Sequence, residues 1–173
     1  SEVNIFGLNG RKIKKPVSTS IQKGNSINKA GYNHYMQKEI YEQKSIIENT
    51  INDKVGSTRI LPNVFGPQSD SMLKSIKHIH FVACGTSFNA ALVAKNWIEE
   101  VSNISCVAEI ASEFRHRKVN VLKDTLYVAI SQSGETADTL AAIKKAKKFS
   151  ALTLGIVNVV GSAISRETDC GIY

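Results

Sequence analysis

Apolar and polar positions along the chain fall into two alternating kinds of block. Short, mostly apolar runs at 78–83 (HIHFVA), 105–110, 126–130 and 152–157 have the length and the β-branched content of buried strands. Between them apolar residues recur at helical spacing. In 88–101, Ala90, Val93, Ala94, Trp97, Ile98 and Val101 fall on one predicted face, with Asn89, Lys95, Asn96 and Glu99 mostly elsewhere; in 137–149, Leu140, Ile143, Ala146 and Phe149 do the same. Strands alternating with helices predict a parallel sheet covered on both faces, a three-layer α/β sandwich.

The first half of the chain is patterned differently. Residues 3–6 and 13–17 flank Gly7-Leu8-Asn9-Gly10, and Asn9-Gly10 is a strong hairpin signal. Residues 18–30 are polar and read as a linker, and a two-stranded hairpin is marginal by itself. From residue 32 onward Met36, Ile40, Ile47 and Ile51 predict an amphipathic helix. Residues 57–70, with Pro62, Gly66 and Pro67, read as a loop, followed by a short helix at 71–76.

The apolar run 126–130 opens directly into Ser131-Gln132-Ser133-Gly134-Glu135-Thr136. With a helix following, 134–136 fall at its first turn, where backbone N–H groups lack intrahelical partners and the macrodipole is positive. Ser131, Ser133 and Thr136 can add hydroxyl donors to a phosphate, and Gly134 lets the backbone come close. Such a turn holds an anion without a lysine. The competing reading is that these hydroxyls only cap a helix. A second copy upstream weighs against that: strand 78–83, the small polar turn Cys84-Gly85-Thr86-Ser87, then helix 88–101. Two strand-turn-helix units set Thr86, Ser87, Ser131, Ser133 and Thr136 beyond the carboxyl ends of parallel strands, where open α/β sheets bind ligands. Neither G-x-x-x-x-G-K-[ST] nor G-x-G-x-x-G is present, which points to a small phosphorylated molecule rather than a nucleotide.

These two turns, the stretch EIASEFRHR at 109–117, the run HYMQKEIYEQ at 34–43 and GSAISRETDCGIY at 161–173 resemble the isomerase half of the glutamine–fructose-6-phosphate aminotransferases (glucosamine-6-phosphate synthases). SQSGET alone indicates only the wider sugar isomerase (SIS) superfamily; HYMQKEIYEQ narrows it. The family often has proline after its E-Q dipeptide, where this chain has Lys44, so a helix break there is less expected. The resemblance implies a flavodoxin-like SIS domain at 31–173, the first of two such subdomains, preceded at 1–30 by the last strands of a glutaminase domain and a linker. It implies a hexose phosphate ligand, fructose 6-phosphate or glucosamine 6-phosphate. Ser87, Ser131, Gln132, Ser133 and Thr136 resemble the phosphate-binding residues, and Thr86 a contact to the sugar or the neighbouring turn. Gln132 and Glu135 either touch the sugar or brace the turn.

In that family a glutaminase domain with an N-terminal cysteine releases ammonia, which converts fructose 6-phosphate to glucosamine 6-phosphate. Residue 1 here is Ser1, and no position matches the glutamate base, lysines or histidine of the second subdomain. No catalytic residue is therefore carried over. Residues 1–173 are expected to bind the phosphate end of the sugar and to be inactive alone. They would serve within a homo-oligomeric protein that also holds the missing second subdomain and glutaminase domain.

Composition narrows the alternatives. A hydrophobic content of 42% with 21% charge is that of a globular domain. No apolar run approaches the roughly 18 residues of a membrane span and no signal-peptide pattern opens the chain, so a cytoplasmic location and no membrane partner are expected. Cys84, Cys106 and Cys170 are odd in number and widely spaced, against a disulfide scaffold or zinc site, and Cys84 reads as a small buried residue at a strand end. His34, His78, His80 and His116 form no ligand pair; no metal and no other cofactor is expected, and His78 and His80 read as structural. A net charge of +7 raises nucleic acid as a partner. The basic residues lack interleaved aromatics, however, and no nucleic-acid partner is expected. Lys144, Lys145, Lys147 and Lys148 read as a solvated face, and Arg115, His116, Arg117 and Lys118 as a surface loop, with part of a subunit contact as the alternative. The alternative function is a stand-alone SIS-type sugar-phosphate sensor or regulatory module. It would want a DNA-binding segment that the N-terminal hairpin does not supply, and it leaves HYMQKEIYEQ unexplained.

Overall fold

The computed structural model describes residues 4–14, 28–52, 54–61, 63–67 and 69–173, in two compact units, Ser1–Thr50 and Ile51–Tyr173. In the first unit β1 (Ile5–Phe6) pairs antiparallel with β2 (Lys12–Ile13). The Gly7 N–H donates to the Arg11 carbonyl at 2.8 Å and the Gly10 N–H to the Gly7 carbonyl at 2.9 Å. Gly10 takes the positive φ of 72° while Asn9 does not. The connection is thus a three-residue turn, Leu8-Asn9-Gly10, rather than the two-residue Asn9-Gly10 turn that the dipeptide suggests. Ser1, residues 15–17 and linker residues 18–27 lie outside the described residues. Helix α1 (Tyr35–Asn52) passes Lys44 without a break. Its Met36, Ile40, Ile47 and Ile51 are exposed, whereas Lys38 is buried, its Nζ donating to the Asn28 carbonyl at 2.8 Å.

In the second unit α2 (Ser69–Leu73) starts at Ser69 rather than Ser71, with the Ser69 hydroxyl donating to the Gly66 carbonyl; Pro62 and Gln68 lie outside the described residues. The domain is built on β3 (His78–Ala83), α3 (Gly85–Val101), β4 (Ser105–Ile110), α4 (Ala111–His116), β5 (Thr125–Ser131), α5 (Ala137–Lys147), β6 (Leu152–Val157), α6 (Ala163–Glu167) and β7 (Cys170–Ile172). The five strands form one parallel sheet in the order β4-β3-β5-β6-β7. Strand alternation sends Phe81, Leu126, Val128 and Leu154 to one face, against Ala91, Ala94 and Ile98 of α3. Val82, Tyr127, Ala129 and Val157 go to the other, against Phe114 of α4, Ile143 of α5 and Ile164 of α6.

The phase of α3 differs from expectation. Val93, Trp97 and Val101 are 47%, 67% and 82% exposed, while Ala91, left out of the predicted face, is fully buried. Two apolar stripes adjoin on this helix, and periodicity alone does not say which of them meets the sheet.

The basic stretch at 115–118 is not a plain surface loop. Arg115 and His116 end α4, and Arg117 grips Glu109 of β4 with Nε and Nη2 at 2.6 and 2.7 Å. Glu109 in turn holds His80 Nε2 at 3.0 Å, and the His80 ring stacks on Tyr127 with Phe114 against its edge. The Arg117 guanidinium keeps the Glu109 carboxyl below the usual range; burial pushes His80 down and Tyr127 up. The Lys145 ammonium donates to the carbonyls of Phe114, Arg115 and Arg117, closing the C-terminal end of α4. Of the lysines at 144, 145, 147 and 148 only Lys144 and Lys148 are exposed, so the solvated face is narrower than the run of charges implies.

Candidate anion-binding site

Because all five strands point the same way, the segments that follow β3, β5 and β6 leave one end of the sheet together. β4 lies on one side of β3 and β5 on the other, so the two crossovers diverge between β3 and β5. The crevice beyond their carboxyl ends is the topological switch point of this fold. Ala83 pairs with Ile130, which brings Cys84 and Ser131 off neighbouring strands side by side.

On the β3 side the chain turns directly into helix. Cys84 is the N-cap of α3, in extended conformation and with no side-chain cap bond, and Gly85, Thr86 and Ser87 form the first turn. The polar turn expected at 84–87 is therefore mostly helix, and the N–H groups of these residues belong to its open end. Among the described residues the side chains of Thr86, Ser87 and Gln132 make no hydrogen bond, and Thr86 and Gln132 are exposed. Cys84 is half-buried with the Thr139 hydroxyl 3.9 Å from its sulfur, in keeping with a small side chain at a strand end.

On the β5 side α5 begins only at Ala137, so 134–136 are a loop ahead of the helix rather than its first turn. Thr136 is the N-cap, yet its hydroxyl does not cap. It lies 3.0 Å from Ser131 Oγ, which also accepts the Gly134 N–H at 3.1 Å, and Ser133 Oγ accepts the Glu135 N–H at 3.2 Å. The hydroxyls shape the loop itself and leave the N-terminus of α5 open, which is not what the capping reading requires. Ser131 is buried and Ser133 exposed, so the loop has a fixed root and a free rim. Asp138, the acid in the first turn of α5, is paired with Arg115 at 2.5 Å, which offsets its repulsion of an anion.

A third segment, missed in the sequence reading, supports this loop from behind. The Gln132 carbonyl accepts the Asn158 N–H at 3.3 Å and the Gly134 carbonyl accepts the Ile164 N–H at 2.9 Å. Glu135 Oε1 accepts the Ala163 N–H at 2.7 Å, so of the two roles open to Glu135 the structure shows bracing. Gly134 has φ of 66°, and a Cβ there would lie 2.0 Å from Ser162 Oγ. Only glycine meets both conditions. Enclosed space is found elsewhere as well: one cavity of 430 Å³ is lined by Phe65, Met72, Asp169, Cys170 and Tyr173, and one of 460 Å³, at the opposite end of the sheet, by Ile76, Leu122, Thr125 and Phe149. The crevice at the switch point is an open shelf. No helix among the described residues is long and apolar enough to cross a membrane.

Comparison with known proteins identifies the family and the fold. Residues 72–173 match the SIS domain family. The chain is 43% identical over 169 residues to a glutamine–fructose-6-phosphate aminotransferase (isomerizing) of Pseudomonas putida and 42% identical over 171 residues to that of Escherichia coli. These alignments take in 97% and 98% of the chain but only 28% of either relative. Among solved structures, the C-terminal domain of glucosamine-fructose-6-phosphate aminotransferase from Francisella tularensis superposes with a TM-score of 0.81 at 44% identity, over 84% of this chain and 41% of that one.

Proposed function

The chain belongs to the SIS domain family, and on that premise we propose that it binds the phosphate end of a hexose phosphate, fructose 6-phosphate or glucosamine 6-phosphate. In this reading it is the first SIS subdomain, at 31–173, of a glutamine–fructose-6-phosphate aminotransferase that supplies hexosamine synthesis in the cytoplasm. Residues 1–30 are the end of a glutaminase domain and a linker. The observation that carries the reading is the pair of uncapped helix N-termini at the switch point. Backbone N–H groups at the start of α3 and α5, with the hydroxyls of Thr86, Ser87, Ser133 and Thr136, the root hydroxyl of Ser131 and the amide of Gln132, offer donors from two sides to a tetrahedral anion. Relatives with these names at 42–44% identity support the sugar-phosphate assignment.

The carboxylate of the loop, Glu135, is engaged with the Ala163 N–H. The 173 residues by themselves bind and do not turn over; transamination belongs to the assembled homo-oligomer with its second SIS subdomain and glutaminase domain. Calorimetric titration with fructose 6-phosphate, with fructose and inorganic phosphate as controls, tests the reading. Binding should require the phosphate and weaken about tenfold in Ser133→Ala, the loss of one hydrogen bond to a charged group. Equal binding of fructose and fructose 6-phosphate, or a Ser133→Ala variant that binds as wild type, refutes it.

A further inference from the structure

We propose that Glu135 is a positioning residue for the anion loop, acting through α6 rather than through the ligand; this rests on the sugar-phosphate reading of the same shelf. Ser162 occupies the N-cap position of α6 but makes no side-chain cap bond, and its hydroxyl is buried without a partner beside Gly134. The cap of α6 comes instead from Glu135, whose Oε1 accepts the Ala163 N–H at 2.7 Å. One residue back, the Gly134 carbonyl accepts the Ile164 N–H at 2.9 Å. Two consecutive residues of the loop are thus fastened to two consecutive amides of α6, one by side chain and one by backbone. Among the described residues the rest of the loop has the internal bonds of Ser131 and Ser133, the bond from the Leu140 N–H to the Thr136 carbonyl at 2.9 Å, where α5 begins, and the longer Gln132 to Asn158 contact at 3.3 Å.

The arrangement has an electrostatic consequence as well. An exposed carboxylate in a phosphate-binding loop repels its ligand, and tying it to the positive end of another helix directs part of its charge away from the shelf. What the loop needs from position 135 is an acceptor oxygen at the reach of a glutamate, not a negative charge. That requirement separates positioning from contact with the ligand and from surface charge.

Three substitutions in the 173-residue chain test this, read by calorimetric titration with fructose 6-phosphate and by amide hydrogen exchange of the ligand-free protein. Glu135→Gln keeps an oxygen at the same reach and should bind within about twofold of wild type. Glu135→Asp keeps the charge but is one methylene short, and Glu135→Ala keeps neither; both should bind about tenfold more weakly. In the same two variants the amides of Gly134, Ala163 and Ile164 should exchange about tenfold faster, with the amides of β3 and β5 unchanged. Weak binding by Glu135→Gln with full binding by Glu135→Asp overturns the proposal in favour of a role for the charge. Unchanged exchange at Gly134, Ala163 and Ile164 in Glu135→Ala overturns it whether or not wild type binds. If wild type binds no fructose 6-phosphate at millimolar concentration, the sugar-phosphate reading falls, and the positioning role falls with it. The exchange data then show separately whether the brace to α6 is real.

Discussion

Replacing Gly134 by alanine tests the packing that sets the anion loop. The residue has φ of 66°, where an L side chain costs about 1–2 kcal/mol. The new Cβ would lie 2.0 Å from Ser162 Oγ and 2.5 Å from Ser162 Cβ, both far inside contact distance, and Ser162 is itself 3% exposed and cannot swing into solvent. Overpacking of this kind costs about 1–3 kcal/mol. Together the two effects destabilise the domain by about 2–5 kcal/mol, a large part of the stability of an ordinary domain. With a urea slope of about 2 kcal/mol/M the midpoint should drop by about 1–2.5 M. The two contributions separate in a double-mutant cycle. Ser162→Gly alone loses no cap bond and should cost only a few tenths of a kcal/mol. Added to Gly134→Ala it removes both clashing atoms and should restore about 1–3 kcal/mol, leaving the backbone part. Ser162→Ala leaves the atom at 2.5 Å and should restore less. A Gly134→Ala midpoint within 0.2 M of wild type, or a cycle with no coupling, would refute this account of the loop.

Three further outcomes follow from the same structure. Ser131→Ala strands the buried Gly134 N–H and should cost about 1–3 kcal/mol in urea unfolding, while Ser133→Ala, on the exposed rim, should stay within about 0.5 kcal/mol. Stability should fall on acidification in two stages. Burial lowers the pKa of His80 from 6.5, so its contribution is complete above that pH and is lost as the pH falls below it. Arg117 lowers that of Glu109 from 4.5, so its contribution is lost only as the pH falls through a still lower value. Urea midpoints measured from pH 8 downward check this, and His80→Gln should flatten the first stage; unchanged curves would contradict it. Cys170, pushed up to about 11 by burial and by Asp169, should be alkylated by iodoacetamide at pH 8 on the order of a hundredfold more slowly than free cysteine, followed by mass spectrometry of its peptide.

The strands were legible because parallel strands packed against helices appear as short, mostly apolar runs; β3, β4 and β6 begin and end where those runs do, even though β4 is an edge strand with Ser105, Val107 and Ile110 exposed. Short elements held by distant partners were not. α4 has six residues, too few for periodicity, and its seat depends on Phe114 meeting His80 of a distant strand, with Glu109 and Arg117 joined across its two ends. β7 has three residues and no apolar run of its own. At the site the residue types were readable, since a strand that ends in hydroxyls before a helix has a local signature. The boundary was not: Thr86 and Ser87 lie inside α3, whereas 134–136 lie ahead of α5. Ser162 left no signal because its part is steric, filling the place where a side chain at position 134 would go.

A sheet that is parallel throughout sorts its connections by end. The switch-point end carries the N-termini of α3 and α5 and the support from α6; the opposite end carries the turns at 118–124 and 148–151. Since β5 is seven residues long, the two ends stand about 20 Å apart. Doubling the length of a surface turn costs only about 0.6 kcal/mol in closure entropy. The far turns are therefore the places to splice in a fluorophore or an affinity tag, where a reporter rides on the rigid frame of the sheet and leaves the shelf untouched.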